Sequence, residues 1–119
     1  MNKHIYWMLQ LNINPGHYED FKTLMQEMVS ATEQNEPNAL NYEWWINEEK
    51  TSCHIYERYA NADALMTHLG NFGSNFAERF MSHVVPTSFI VYGDVTNDVK
   101  TALDGLNPSY MSSFGGFNR

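Results

Sequence analysis

Hydrophobic and polar residues alternate through residues 4–13, HIYWMLQLNI. Ile5, Trp7, Leu9, Leu11 and Ile13 fall on one side; His4, Tyr6, Met8, Gln10 and Asn12 fall on the other. A period of two sends successive side chains to opposite faces of a strand, so this segment predicts a strand with one strongly apolar face. Asn14-Pro15-Gly16 breaks it. From His17 to about Gln34 the period lengthens. Phe21, Leu24, Met25, Met28, Val29 and Thr32 recur at helical spacing, while Glu19, Asp20, Lys22, Gln26 and Glu27 lie mostly off that stripe. Glu19 and Asp20 stand where a helix N-terminus favours negative charge. Asn35-Glu36-Pro37-Asn38 ends the helix.

Alternation returns twice. In 39–47, Leu40, Tyr42, Trp44 and Ile46 are expected on one face, with Asn41, Glu43 and Trp45 on the other. In 52–60, Cys53, Ile55, Glu57 and Tyr59 share a face, and the polar stretch between the two segments predicts a hairpin. Asn61 is a suitable N-cap for a second helix, whose stripe is Ala64, Leu65, His68, Leu69 and Phe72. Gly70 and Gly73 weaken that helix and predict a kink or break within 70–75; Phe76, Phe80 and Met81 then continue a buried face. Residues 85–95 predict a fourth strand, with Val85, Thr87, Phe89 and Val91 on one face and Ser88, Ile90 and Tyr92 on the other. Asn97 is the expected cap of a short third helix ending at Gly105, and the aromatic, glycine-rich tail beyond it has no clear period.

The order β-α-β-β-α-β is that of the ferredoxin-like fold, an α+β arrangement in which two helices cover one face of a four-stranded antiparallel sheet. Strands one and three then lie in the centre, which puts Glu57 in mid-sheet. Residues 1–95 form this domain. Residues 96–119 are an extension expected to pack on the same domain or on a partner subunit. The sheet's second face carries Tyr6, Met8, Trp45, Tyr56, Ile90 and Tyr92 among His4, Asn41, Glu43, His54 and Arg58. Both helices are already used on the first face. So aromatic a surface points to a homodimer packed through the open sheet face, against the alternative of a half-solvated sheet.

Composition narrows the function classes. The 119 residues are 43% hydrophobic and 14% aromatic, enough for a real core. A formal net charge of -7 argues against a nucleic-acid or anionic-membrane partner, both of which need a basic surface. The single cysteine, Cys53, has no internal disulfide partner. Residues 1–13 alternate instead of forming the continuous apolar run of a signal peptide, and no stretch is long enough to span a bilayer. Together these predict a soluble cytoplasmic protein.

Strong catalytic motifs are missing. There is no Walker loop, GxGxxG, HExxH or nucleophile elbow, and His4, His17, His54, His68 and His83 lack paired ligand spacing, so no metal site is expected. Glu57 stands out because its face-mates Ile55 and Tyr59 point at the helices, where a carboxylate must be hydrogen-bonded, paired or protonated. His68 lies on the helix stripe between Leu65 and Leu69 and faces the sheet. A Glu57–His68 hydrogen bond would satisfy both groups and raise the imidazole's basicity. The alternatives are a purely structural polar pair, or Glu57 accepting from helix-start amides or a tyrosine. Trp7, Tyr42, Trp44, Tyr59, Phe72 and Phe89 could all face the same space, either as plain core or as an aromatic pocket beside the weakened helix. Tyr110, Met111, Phe114 and Phe117 of the tail could cover that pocket, pack on a partner or simply pack at an edge.

Glu36, Pro37, Tyr42 and Glu43, followed by Glu57, Tyr59, Asp63, Ala64, Leu65, His68 and Leu69, form a pattern that resembles the antibiotic biosynthesis monooxygenase family over about residues 4–95. The resemblance implies a dimeric α+β barrel and oxidation of a small aromatic, phenolic or quinol-like compound by O2 with no cofactor. Carried over, His68 would be the base or hydrogen-bond donor and Glu57 would orient it. Trp7, Tyr42, Trp44 and Phe72, with Tyr59 and Phe89, would hold the substrate. A non-catalytic small-molecule binder would use the same pocket. A haem-degrading branch shares the fold, but here His68 occupies its tryptophan position and the haem-ligand position falls near Glu78.

Overall fold

The alternating segments become strands and the periodic ones helices. The computed structural model describes residues 2–119. Along the chain run β1 (Ile5–Ile13), α1 (Tyr18–Asn35), β2 (Ala39–Ile46), β3 (Ser52–Tyr59), α2 (Ala62–Asn75), α3 (Ala77–His83), β4 (Val84–Tyr92), α4 (Asn97–Leu103), a 3-10 turn (Asp104–Leu106) and β5 (Ser109–Met111). The sheet order is β2-β3-β1-β4-β5, with the first four strands antiparallel and β5 parallel to β4. The ferredoxin-like core is therefore as expected, with β1 and β3 central. A fifth strand is added from the tail. It is only three residues long, too short to show a period, and it sets Tyr110 beside Val91.

Burial follows the faces. Ile5, Trp7, Leu11 and Ile13 of β1 and Cys53, Ile55, Glu57 and Tyr59 of β3 are buried under the helices. Two apolar clusters fill the layer between. One gathers Leu11, Phe21, Leu24, Met28, Ile55 and Phe80. The other gathers Ile5, Trp7, Tyr59, Leu65, Phe89, Val99 and Leu103. Glu57 lies on β3 between Ile55 of the first and Tyr59 of the second, so the polar side chain marks their seam. Val99 and Leu103 are buried in the second cluster, so α4 packs on the same chain's domain.

Several local expectations are corrected. Ala39 pairs with Tyr59 and Asn41 with Arg58, which leaves Leu40 in a β-bulge and exposed instead of in the core. Ile46, on the same expected face, lies at the end of the edge strand and is also exposed. Gln10 pairs with Ser88 but Leu11 with Pro86, so Thr87 is the extra residue; beyond it Val84 points inward and Val85 outward, the reverse of simple alternation. Pro86 is tolerated because β5 reaches only Ile90–Tyr92 and leaves that part of β4 without an outer neighbour. Helix α2 runs through Gly70 and Gly73, and the break falls at Phe76. Met81 is exposed. The cap of α4 is Thr96, whose side chain accepts from the Val99 amide, and Asn97 is the first helical residue. Asn61 caps α2 as expected, accepting from the Ala64 amide at 2.9 Å.

Among the described residues, no helix is long and apolar enough to cross a membrane. The sheet's second face carries no helix. It holds the exposed Trp45 and Tyr92 and the half-buried Tyr6, Met8, Tyr56 and Ile90.

Candidate functional site

Glu57 is placed by the centre of the sheet. It pairs with Trp7 on β1 and Tyr42 on β2, so Tyr42, Glu57 and Trp7 stand in a row across three strands on the helix-covered face. Helix α2 lays His68 over this row. The imidazole Nε2 is 3.3 Å from Glu57 Oε1, and the Tyr59 hydroxyl donates to the same carboxylate oxygen. The other ring nitrogen, Nδ1, is 3.0 Å from Glu36 Oε1, and Asn71 Nδ2 donates to Glu36 Oε2 at 3.2 Å. His68 is thus held between two carboxylates, one on the sheet and one at the end of α1. All three are nearly inaccessible: Glu36 is 8%, Glu57 5% and His68 6% exposed.

Burial alone pulls the His68 imidazole down. The hydrogen bond to Glu36, then that to Glu57, and the charges of both carboxylates outweigh it, and the pKa is pushed up to about 9. At neutral pH His68 is therefore an imidazolium. For Glu36, burial raises the pKa but the His68 hydrogen bond and charge, with Asn71, outweigh it and hold the carboxyl below its usual range. Tyr59 and Tyr42 are pushed well up, first by burial and then by the charge of Glu57, so both stay as phenols that can donate but not ionise.

Sequence reasoning placed Glu57 opposite His68 but missed Glu36 and Asn71. Glu36 makes the shorter contact to His68, at Nδ1, while Glu57 faces Nε2. The signal was present: Glu36 precedes Pro37, in the first of the resemblance motifs. It sits at the C-cap of α1, one turn past Thr32 on the continuation of the same stripe, but inside the Asn35-Glu36-Pro37-Asn38 stretch read as the helix end.

Next to this cluster lies a cavity of about 50 Å³. Trp7, Tyr42, Phe72 and Phe89 of the expected aromatic set line it, along with Glu57 and His68. Trp44 and Tyr59 do not. Trp44 packs against Phe21 and Phe80 in the core, and Tyr59 sits behind Glu57, its ring 5.2 Å from that of His68. The most exposed wall residues are Met81, Pro86 and Leu106, which mark the mouth. Phe114 and Phe117 are not among the lining residues and are fully or largely exposed. Among the described residues, the buried indole N–H groups of Trp7 and Trp44 have no hydrogen-bond partner. Glu78, near the haem-ligand position, is exposed on α3. Among the described residues, no group of three or more His, Cys, Asp or Glu is arranged to hold a metal ion.

The arrangement can do proton chemistry: one cationic acid, two carboxylates and two neutral phenols meet beside a small, largely apolar space. Residues 5–73 match the antibiotic biosynthesis monooxygenase family. No curated protein matches the chain. Among solved structures, MupZ from Pseudomonas fluorescens superposes with a TM-score of 0.86 at 25% identity, covering 99% of this chain and 96% of its own. SnoaB from Streptomyces nogalater, a cofactor-independent oxygenase, superposes with a TM-score of 0.66 at 9% identity, covering 80% of this chain and 96% of its own. A conserved protein from Methanosarcina mazei does so with a TM-score of 0.66 at 13% identity, over 75% and 90%. At such low identities the last two speak to the fold alone.

Proposed function

The chain belongs to the antibiotic biosynthesis monooxygenase family, and from that premise we propose that it is a monooxygenase whose buried proton-transfer site activates a small aromatic phenol or quinol towards O2 without a cofactor. The observation that carries this reading is His68, ion-paired at both ring nitrogens beside an apolar cavity. A substrate hydroxyl presented to the Nε2 edge meets Glu57 and the imidazole together. Neutral His68 takes that proton at Nε2, or a substrate already ionised meets the imidazolium, and either way the imidazolium stabilises the phenolate charge in a dry site. The electron-rich anion then gives its electrons to O2. One oxygen atom enters the ring as a quinone carbonyl in place of a C–H, and the other leaves as water. The substrate supplies every electron, so no external reductant enters the balance. Trp7, Tyr42, Phe72 and Phe89 supply the planar walls. Dimerisation through the open sheet face belongs to the same proposal, supported by the aromatic surface that no helix of this chain covers.

Oxygen uptake with a panel of phenols, hydroquinones and anthrones tests it. His68→Ala is expected to lower turnover by on the order of a hundredfold or more, as removal of an acid–base group does. The reaction needs either neutral His68 with phenol or imidazolium with phenolate. Its kcat/KM is therefore expected to rise with pH up to about 9. Unchanged quinone formation in His68→Ala would remove His68 from the mechanism.

The charge state of His68 favours a second reading. An imidazolium beside carboxylates at neutral pH is a ready general acid paired with a general base. Such a pair suits isomerisation, ring closure or hydration without O2. That chemistry would be flat in pH below about 9 and fail above it, the opposite limb of the profile. Tight binding with no turnover of either kind would instead leave a small-molecule binder.

A further inference from the structure

We propose that Leu106 determines which substrates the site accepts, acting as a movable wall that must retract before any ring can enter. This rests on the assignment of the cavity as the substrate site, but not on the oxidative chemistry. A void of roughly 150 Å³ is what a single benzene ring occupies in a protein interior. The cavity here is about 50 Å³, room for little more than water, so a guest requires a wall to move. Most of the walls cannot move cheaply. Trp7, Ile55 and Phe89 are buried on interior strands of the sheet, and Phe80 is the buried residue of α3.

Leu106 differs. It is the only lining residue contributed by the extension and is 39% exposed. Its backbone belongs to a single 3-10 turn, none of whose residues is buried, closed by Asn107 in the left-handed region at φ 54°. On either side the chain is anchored, by the fully buried Val99 and Leu103 before the turn and by β5 against β4 after it. Residues 104–107 can therefore shift while both flanks stay in place. The family match ends at residue 73, so this wall belongs to a part of the chain outside the shared sequence pattern.

The test uses guests with no acidic hydrogen, so that binding is read apart from catalysis. Fluorobenzene and 1-fluoronaphthalene are titrated into the full-length protein, Leu106→Ala, Leu106→Trp and the control Met66→Ala, an exposed α2 residue that does not line the cavity, with ¹⁹F NMR as readout. Leu106→Ala is expected to tighten 1-fluoronaphthalene binding about tenfold relative to fluorobenzene, and Leu106→Trp to weaken both guests by about as much, with Met66→Ala near the parent ratio. An unchanged ratio in Leu106→Ala, an equal effect from Met66→Ala, or no binding to Leu106→Ala at all would overturn the proposal. Guest selectivity that follows Leu106 while no phenol is oxidised would leave the gate standing and remove the monooxygenase reading.

Discussion

Two carboxylates within hydrogen-bonding reach of one imidazole, all three almost fully buried, make His68 the residue on which local stability and chemistry meet. Removing charges from water costs several kcal/mol per ion unless they are paired and their remaining hydrogen-bonding positions filled. Here Tyr59 fills a position on Glu57 and Asn71 one on Glu36. A histidine pKa raised from 6.5 to about 9 stabilises the fold most below its unfolded value, and that contribution is lost as pH rises through the folded one. Urea unfolding of the native protein is therefore expected to lose up to about 3 kcal/mol between pH 6 and 9.5 through this group. The loss should be absent in His68→Gln, and an equal slope in both proteins would contradict it. At this scale the sequence was half legible. Period-two facing on β3 and helical facing on α2 pointed Glu57 and His68 at each other. Glu36 joins them from the C-cap of α1, one turn past Thr32 on the same stripe, where the approach of Pro37 had marked the helix as already ended.

At the scale of elements, what the pattern announced and what it hid divide along physical lines. Long stretches with a sustained period, β1, α1 and β3, match their expected extents within a residue or two, because each buries a continuous face. Single-residue insertions are silent in a pattern. The bulges at Leu40 and Thr87 flip Leu40 and Val85 outward, and only the pairing register of the neighbouring strands reveals them. The break between α2 and α3 was sought at the glycines. Helical hydrogen bonding instead survives both, and the chain turns at Phe76, whose amide still reaches the Phe72 carbonyl. Strand β5 exists because β4 offers a free edge to Ser109–Met111, a tertiary cause with no local signature. The consequence for the site is direct. The segment that carries Leu106 lies between α4 and β5, and neither its course nor its contact with the cavity was legible.

For the whole molecule, the open sheet face is the feature a single chain leaves unexplained. Trp45 is 59% exposed there, and Tyr6, Met8, Tyr56, Ile90 and Tyr92 surround the centre of the face. Sedimentation velocity is expected to give a dimer at micromolar concentration, and Ile90→Lys, which sets a charge at that centre, a monomer. A native monomer would contradict the proposed assembly. The proton held at His68 matters more than the assembly, because catalysis, pH dependence and the buried charge balance all follow from it. An NMR titration of the His68 ring reads that proton most directly. The predicted result is a midpoint near 9 that drops towards the ordinary 6.5 in Glu36→Gln. A native midpoint at or below 6.5, or one indifferent to Glu36, would contradict it.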